Sequence, residues 1–413
     1  MKDNQAKYPQ LRFKGFTDPW EQRKLGNLGL NISDGDWIEK QHIFENGQYR
    51  IIQTGNIGVD EYLDKPQNAK YFRQEDFNQL KANEIFPGDI VVCRLADPAG
   101  RAVILPNIGK QMVTSVDVAI LRPSSRISFR FLVSQLNNPR NLKQVQIMAS
   151  GSTRTRISRK NLEREIIQLP NINEQKKIGS FFSILNSTIA LHQRKLAKLK
   201  ELKQGYLQKL FPKNGSKFPQ LRFAGFADAW EERKLVSMTN YKNGKGHEDK
   251  QSTIGKLELI NLNSISISGG LKHSGKFIDE ADDTLQKDDL VMILSDVGHG
   301  DLLGRVALIP EDDRFVLNQR VALLRPNATA DPQFLFSYIN AHQYYFKAQG
   351  AGMSQLNISK GSVENFISFV PIIEEQKKIG TFFKQLDNTI TLHQRKLEKL
   401  QELKKGYLQK MFC

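Results

Sequence analysis

The chain has 413 residues and a mass of 47.1 kDa, which is enough for two or three domains of ordinary size. Hydrophobic residues make up 39% and charged residues 25%, proportions that exclude a fibrous or wholly disordered protein. Sixty lysines and arginines against 44 acidic residues give a net charge of +16. Such a charge favours an acidic partner such as nucleic acid, with a merely soluble basic protein as the alternative.

Composition also bears on location. The first residues are polar, and no window offers the roughly 18 apolar residues that cross a bilayer, so we expect neither secretion nor membrane insertion. The two cysteines, Cys93 and Cys413, allow at most one disulfide and no cysteine-rich zinc site, which is typical of a reducing compartment. We therefore predict a cytoplasmic protein without a membrane partner.

Two stretches of the chain occur twice. Residues 8–25 (YPQLRFKGFTDPWEQRKL) and 218–235 (FPQLRFAGFADAWEERKL) share 13 of 18 positions, and residues 174–211 and 375–412 share 28 of 38. This duplication predicts one structural unit written twice. We place a first globular domain at 1–173, a long helix at 174–211, a second domain at 212–374 and a second long helix at 375–413.

The segments between the repeats, 26–173 and 236–374, are only faintly alike. Three short echoes align them: Gly88–Val92 with Asp288–Met292, Val118–Pro123 with Val321–Pro326, and Gly151–Ser158 with Gly352–Ser359. Short Val/Ile-rich runs predict strands, and the stretches from Phe129 and Phe334 predict helices, so the fold class is α+β. The second segment is net acidic, with 13 basic against 17 acidic residues, so any nucleic-acid contact there needs a local basic face.

Polar side chains at the third echo are the best candidates for DNA contact, because Arg and Lys bind phosphates and guanine while Asn and Gln bind adenine. The frame is kept between the two copies and the polar side chains differ, as expected if they read different bases. A Ser/Gly-rich loop that caps a helix is the alternative. The candidates are Arg154, Thr155, Arg156, Arg159 and Lys160 in the first copy, and Ser354, Gln355, Asn357 and Lys360 in the second. Lys242 and Lys245, with His247 and Lys250, form a weaker patch that a solvated loop explains about as well.

The long repeats carry apolar residues at alternating spacings of four and three, which predict a seam along one side of a helix. The seams comprise Ile178, Phe182, Leu185, Ile189, His192, Leu196 and Leu199, and Ile379, Phe383, Leu386, Ile390, His393, Leu397 and Leu400. Two such helices can pair as a coiled coil, and we prefer the antiparallel direction. The seam histidines are interpreted as packed imidazoles that fix the pairing rather than as metal ligands or pH switches. The lysine-rich outer faces are interpreted as solvated surface rather than DNA contact.

Motifs for catalysis are missing from the sequence. The stretch from Gly270 to Lys276 approaches a phosphate-binding loop, but Phe277 stands where a hydroxyl would hold Mg²⁺. The chain has no Pro-Pro pair for a methyltransferase loop, no Gly-x-Gly-x-x-Gly turn and no His-x-x-x-His pair. Glu174 and Glu375 resemble part of a nuclease motif, but we interpret them as acidic residues that offset a helix dipole. We therefore predict no catalytic residue and no metal site.

The order of these parts resembles the specificity subunit of type I restriction-modification systems. The resemblance rests on the stretches Pro170–Ile178 and Pro371–Ile379, each with a Glu-Gln pair, on the Gly-x-x-x-x-x-Ile-Ser segments, and on the duplicated PQLRF segments. It implies a non-catalytic subunit with two target recognition domains, which read the 5′ and 3′ parts of a bipartite sequence in double-stranded DNA, and helices that set the gap between those parts.

The resemblance also implies partners and cofactors. Two modification subunits would dock on the helices and use S-adenosylmethionine to methylate adenine, and two restriction subunits would use ATP and Mg²⁺. None of these cofactors would be bound by this chain. The alternative from another class is a coiled-coil scaffold with two globular heads and no nucleic-acid role, which the acidic second segment favours slightly. A nuclease or methyltransferase acting alone is disfavoured by the missing motifs.

Overall fold

The computed structural model describes residues 8–122, 124–150, 155–213, 215–297 and 300–412. The described residues form two compact units, one from those within 1–193 and 395–413 and one from those within 194–394. The division between the units falls within both long helices. The predicted domain boundaries at 173, 211 and 374 follow the sequence repeats instead, and they stay a prediction.

The first unit begins with a chain of short strands and helices. In order they are β1 (Glu21–Lys24), β2 (Asn31–Asp34), β3 (Tyr49–Ile52), β4 (Tyr71–Phe72), α1 (Gln74–Leu80), β5 (Glu84–Ile85), β6 (Ile90–Cys93), β7 (Leu95–Ala96), β8 (Ala102–Ile104), β9 (Gln111–Thr114), β10 (Val118–Arg122), α2 (Phe129–Leu136), α3 (Pro139–Met148), β11 (Thr155–Arg156), α4 (Arg159–Glu163), β12 (Ile166–Leu169) and the long helix α5 (Ile172–Leu210). Residues 194–210 of α5 already belong to the second unit.

The second unit repeats this order. It continues with β13 (Glu231–Lys234), β14 (Thr239–Asn243), β15 (Leu257–Ile260), β16 (Phe277–Ile278), β17 (Leu290–Ile293), β18 (Ser295–Val297), β19 (Val306–Leu308), β20 (Phe315–Leu317), β21 (Val321–Pro326), α6 (Pro332–Ala341), α7 (Gln343–Ala348), β22 (Gln355–Asn357), α8 (Lys360–Glu364), β23 (Ile367–Val370) and the long helix α9 (Ile373–Lys410). Residues 395–410 of α9 return to the first unit.

Sheet topology corresponds between the two units, except that the first has one additional strand, β5. The first has a four-stranded sheet in the order β2-β10-β6-β8, a second sheet β4-β3-β9-β5, and the pairs β1-β12 and β7-β11. The second has β14-β21-β17-β19, β16-β15-β20, β13-β23 and β18-β22. Among the described residues only α1 and β5 lack a counterpart. The prediction of an α+β fold with an internal repeat is confirmed, and the strands and helices expected at the first two echoes and after Phe129 and Phe334 are present.

The repeated PQLRF segment packs beside a long helix in each unit. Trp20 is 2% exposed and lies 5.9 Å from Phe131, ring centroid to centroid, while Trp230 is 1% exposed and lies 5.9 Å from Phe334. The strand that follows the tryptophan, β1 or β13, pairs antiparallel with β12 or β23. The segment is therefore conserved between the halves because it closes the same core twice.

The Glu-Gln pair at the start of each long helix is structural. Glu174 is fully buried and accepts two hydrogen bonds of 2.7 Å from the guanidinium of Arg12, and Glu375 accepts two of 2.8 Å from Arg222. The next side chain, Gln175, accepts a hydrogen bond from the backbone N–H of Ser128 and donates one to the carbonyl of Pro170. The acidic residue lies in the first helical turn, as expected, but an arginine rather than the helix dipole alone compensates its charge.

Glycine allows each long helix to approach a short one. A Cβ atom at Gly179 would lie 2.6 Å from the backbone nitrogen of Phe131 at the start of α2, and one at Gly380 would lie 2.9 Å from that of Phe334 in α6. Real Cβ atoms do not come this close to backbone atoms. Any larger residue at these positions would push the long helix away from its domain.

The two long helices run antiparallel, as the second unit shows: Lys203, which precedes Tyr206 in α5, pairs at 2.6 Å with Asp387, which follows Phe382 in α9. Phe181, early in α5, contacts Tyr407, late in α9, with ring centroids 5.0 Å apart in the first unit. Tyr206, late in α5, contacts Phe382, early in α9, at 5.0 Å in the second. All fourteen seam residues are buried or half-buried, including both histidines, whereas Leu202 and Leu403, where the spacing slips, are 45% and 42% exposed. Among the described residues, no helix has the length and apolar character to span a membrane.

Candidate nucleic-acid interface

Most of the predicted contact residues of the first half lie on or beside strand β11. Thr155 and Arg156 form this strand, which pairs antiparallel with β7 so that Arg156 faces Leu95. The Thr155 hydroxyl donates to the carbonyl of Ala96 at 2.8 Å, so it stabilises the pairing and is not aimed at solvent. The remaining candidate of this strand segment, Arg154, lies outside the described residues.

Acidic residues orient the arginines of the first half. The Arg156 guanidinium lies 3.2 Å from an Asp117 carboxylate oxygen, with 43% of its side chain exposed. Arg159 lies 3.5 Å from Asp34 and 3.3 Å from Glu163, with 46% exposed. Lys160 is exposed on α4. Asp117 holds Arg156 at one nitrogen, whereas Asp34 holds Arg159 at Nη1 and Glu163 holds it at Nε; both arginine side chains stay partly exposed, as a contact to an anion or a base requires.

Strand β22 holds the equivalent residues of the second half. It pairs antiparallel with β18, so that Asn357 faces Ser295 and Gln355 faces Val297. Gln355 Nε2 donates to Ser295 Oγ at 2.6 Å, and Ser295 Oγ donates to Asn357 Oδ1 at 2.7 Å. Ser354 is exposed just before this strand. The two amides are thus linked through one buried hydroxyl.

Lys360 follows this strand on α8. Its ammonium lies 3.5 Å from Glu364 and 5.4 Å from the ring centroid of Tyr241. Burial, and then the Glu364 carboxylate, raise the pKa of Tyr241 to about 12, so this phenol keeps its proton at neutral pH. Lys360 begins α8 as Arg159 begins the equivalent helix α4, so an ammonium stands where the first half has a planar guanidinium.

The weaker patch does not gather into a basic site. Lys242, in β14, forms an ion pair with Asp283, and Lys245 follows the same strand. Both lysines line a cavity of about 80 Å³ together with Asp282 and Asp283. Because acidic side chains share this surface, its charge is largely offset, and the solvated-loop interpretation suits it better than a DNA contact.

Sequence reasoning missed the residues that hold the candidates in place. Ser295 is 1% exposed and lies 62 positions from Asn357. Asp34 ends β2 and Asp117 lies in the turn before β10, both far along the chain from the arginines that they bind. No local pattern links such positions, because the strand pairing that joins them forms only in the folded chain. The same is true of Arg12, whose partner Glu174 lies 162 positions away.

Nothing in the described part of the chain points to a reaction centre. No group of three or more His, Cys, Asp or Glu side chains is placed to hold a metal ion among those residues. Arg122, the last residue of β10, lies 3.8 Å from Asp89, and Arg325 in β21 makes two contacts of 2.7 Å with Asp289. Each acid immediately precedes a strand of the same sheet. These arginines thus form ion pairs within their own sheets and do not surround a reaction centre.

Comparison with known proteins identifies relatives over nearly the whole chain. A family model described as the type I restriction modification DNA specificity domain matches residues 17–201 and 227–402. Two relatives from Methanocaldococcus jannaschii are each 23% identical: the type I restriction enzyme MjaVIII specificity subunit, over 91% of this chain and 92% of that protein, and the putative type I restriction enzyme MjaX specificity subunit, over 94% and 92%.

Solved structures share the fold. A type I restriction-modification S subunit from M. genitalium aligns with a TM-score of 0.67 at 17% identity, covering 98% of this chain and 99% of that one. A chain from a study of complex assembly and conformational transition of the type I R-M system aligns with a TM-score of 0.51 at 14% identity, covering 96% and 98%. The likeness extends across both halves and both long helices.

Proposed function

Since the chain belongs to the family of type I restriction modification DNA specificity proteins, with two copies of the family domain, we propose that each half reads one part of a bipartite DNA sequence. The protein is the specificity subunit of a type I restriction-modification system and does no chemistry by itself. The alternative of a scaffold without a nucleic-acid role is not favoured by these matches.

One observation carries the proposal about the two halves. Strands β11 and β22 occupy the same place in the same topology, yet one presents Arg156 and the other presents Asn357. A conserved frame with exchanged polar side chains is what two readers of different base pairs require, since arginine and asparagine suit different base edges. The first half would read the 5′ part and the second half the 3′ part.

The long helices would set the gap between the two parts. α5 has 39 residues and α9 has 38, and at 1.5 Å per residue each is roughly 57 Å long. Half-sites one turn of DNA apart lie about 34–36 Å from centre to centre, within the length of such a helix. A helix pair is a suitable spacer because its length changes only by whole residues.

The outer helix surface would dock the modification subunits. Ile184 and Leu191, seven residues apart on α5, are 69% and 57% exposed, and Leu392 on α9 is 66% exposed. Ile184 and Leu191 belong to the first unit and Leu392 to the second, and large apolar side chains so exposed on a helix favour a protein partner in each unit. We infer two modification subunits, which would carry S-adenosylmethionine and methylate adenine, and two restriction subunits, which would use ATP and Mg²⁺.

The experiment that tests the proposal is single-molecule sequencing of DNA modification in cells with and without the gene, with the partner genes left intact. We expect a bipartite methyladenine motif that is present with the gene and absent without it. If every methylated motif survives the deletion, the chain does not direct that methylation, and the proposal is wrong.

A further inference from the structure

Two short ribbons stand at equivalent places in the two halves. We use the name ribbon for the two-stranded pair β7–β11 in the first half and β18–β22 in the second. In the first, Arg156 faces Leu95 across the strands, and in the second, Asn357 faces Ser295. The two facing pairs therefore occupy the same position, and both the polar residue and its cross-strand neighbour have been exchanged.

The second ribbon collects its polar groups on one face. Side chains two residues apart on a strand point to the same side of a sheet, and Ser295 Oγ contacts both Gln355 and Asn357. Ser295, Val297, Gln355 and Asn357 thus share a face. Asn357 is exposed on it, and Val297 is 71% exposed.

Hydrogen bonds fix the direction of the Asn357 amide. The Ser295 hydroxyl receives a hydrogen bond from Gln355 Nε2 and gives its own hydrogen to Asn357 Oδ1, while Asn357 Nδ2 donates to the Gln355 carbonyl at 3.1 Å. An amide offers two acceptor sites and two donor hydrogens. One of each therefore remains on Asn357, which is the pair that the N6 and N7 edge of adenine needs.

The first ribbon is prepared for another base. Arg156 is held by Asp117 at 3.2 Å, and its guanidinium has five N–H donors, so most of them stay available. The residue opposite is Leu95, which cannot hydrogen-bond through its side chain. Two parallel donors suit the O6 and N7 acceptors of guanine and cannot satisfy the donor at adenine N6.

We propose that Arg156 reads a guanine in the first part of the target, and that Asn357, positioned by Ser295 and Gln355, reads an adenine in the second. This inference rests on the proposed function. Val297, on the same face as Asn357, would contact the methyl group of a thymine, which apolar side chains recognise in the major groove. Ser295 is a positioning residue, because it acts on the base only through Asn357.

The test uses the full complex with its modification subunits, and it measures adenine methylation on duplexes that carry each base at each position of both parts. We expect the wild-type complex to prefer adenine at one position of the second part. Asn357→Ala should lower that preference by about tenfold to hundredfold and leave the first part unchanged, because a bidentate contact discriminates by that factor. Arg156→Ala should do the same for a guanine in the first part only.

Ser295→Ala separates positioning from contact. It should weaken the preference at the same position as Asn357→Ala, by a smaller factor. The matched control Ser252→Ala, at an exposed serine of the same half outside the ribbon, should leave every preference intact. Asn357→Asp should move the preference from adenine towards cytosine, since a carboxylate accepts from cytosine N4. A misfolded protein cannot acquire a new preference, so this variant guards against loss by unfolding.

Three results would overturn the inference: an equal loss of methylation on all duplexes, which identifies a phosphate contact; a change in the wrong part; or unchanged preferences in both alanine variants. Failure of the proposed function looks different. In that case the wild-type complex itself would show no bipartite preference, before any substitution is made.

Discussion

Arg12 and Glu174 show how one buried pair ties distant segments together. The carboxylate of Glu174 is inaccessible to solvent, the Arg12 side chain is 13% exposed, and the two form a bidentate contact. Arg222 and Glu375 repeat it in the second half. The pairing explains why the PQLRF segment and the start of the long helix are duplicated together, since neither charge could be kept without the other.

Loss of one partner should be costly. We expect Arg12→Leu to lower the free energy of unfolding by about 3–5 kcal/mol, because it leaves Glu174 buried without a countercharge. Urea denaturation of the purified chain measures this. The double variant Arg12→Leu with Glu174→Leu should recover much of the loss, and Lys14→Ala, an exposed change nearby, should have little effect. A single variant as stable as the wild type would contradict a structural role for the pair.

Glu165 is another buried acid, but it differs from Glu174 in its lack of a paired cation within the part of the chain that the structure describes. It is 1% exposed, neither carboxylate oxygen has a hydrogen-bond partner among the described residues, and burial raises its pKa from 4.5 to about 8. The aligned position in the second half holds Phe366, which packs against Tyr338 and Phe346. A protonated, neutral carboxyl therefore takes the place of an aromatic ring.

The sign of the pH effect is set by this raised pKa. Below pH 4.5 the folded and unfolded chains both hold the proton, so the contribution to stability is complete; it is lost as the pH rises towards 8, because only the unfolded chain releases the proton. Each pH unit between the two pKa values changes the unfolding free energy by roughly 1.4 kcal/mol. Glu165→Gln should remove this dependence.

The measurement is the difference in unfolding free energy between pH 5 and pH 8. Over that range, the unfolding free energy of the wild type should fall by at least about 1 kcal/mol more than that of Glu165→Gln. Glu45→Gln, at an exposed position, is the matched control and should behave as the wild type does. Equal slopes for the wild type and Glu165→Gln would show that Glu165 ionises normally in the folded chain.

At the level of elements, the long helices are the part most open to prediction from sequence. Alternating spacings of four and three specify a helical seam without any tertiary information, and residues such as Phe182 and Phe383 are fully buried as that pattern requires. In the structure, α5 spans Ile172–Leu210 and α9 spans Ile373–Lys410.

The ribbons could not be derived in the same way. Thr155–Arg156 and Leu95–Ala96 are two-residue strands, too short for any alternation to be visible, and their pairing depends on the sheets around them. Sequence comparison of the two copies identifies the right segment, but not the hydroxyl of Ser295 or the carboxylate of Asp117 that orient it. The candidate contacts are therefore partly predictable, and their geometry is not.

The rise and rotation of a helix per residue give a prediction for α5. Inserting four residues between Leu196 and Leu199 lengthens α5 by roughly 6 Å and turns the remainder of the helix by about 40°. We expect an altered gap in the methylated motif, or no assembly with the modification subunits. The motif is read by single-molecule sequencing, with an insertion of the same four residues in the 213–217 linker as control. An unchanged gap would refute the helical ruler.

The whole chain consists of two copies of one structural unit, each with its own variable segment. Sheet order, the PQLRF segment and the Arg–Glu pair recur, while residues 26–173 and 236–374 differ. Because one partner of each domain-closing contact lies in a repeated segment, as Trp20 and β1 do, the variable segment can change elsewhere without altering how it is held.

Exchange of a variable segment tests this modularity. Replacing residues 236–374 with the corresponding segment of another family member should change only one part of the recognised sequence and keep the gap. Methylation sequencing of cells carrying the chimera decides the outcome. A change in both parts, or in the gap alone, would mean that the halves do not read independently.

The first unit closes its core with residues from the far end of the chain, and this has a consequence for synthesis. Leu408, Met411 and Phe412 are buried in one cluster with Trp20, whose ring centroid lies 6.2 Å from that of Phe412. A ribosome makes Trp20 almost four hundred residues before it makes Phe412. The second unit, from residues 194–394, is complete on the nascent chain before residues 395–412 of the first unit are made, so we expect the half that is translated first to finish folding last.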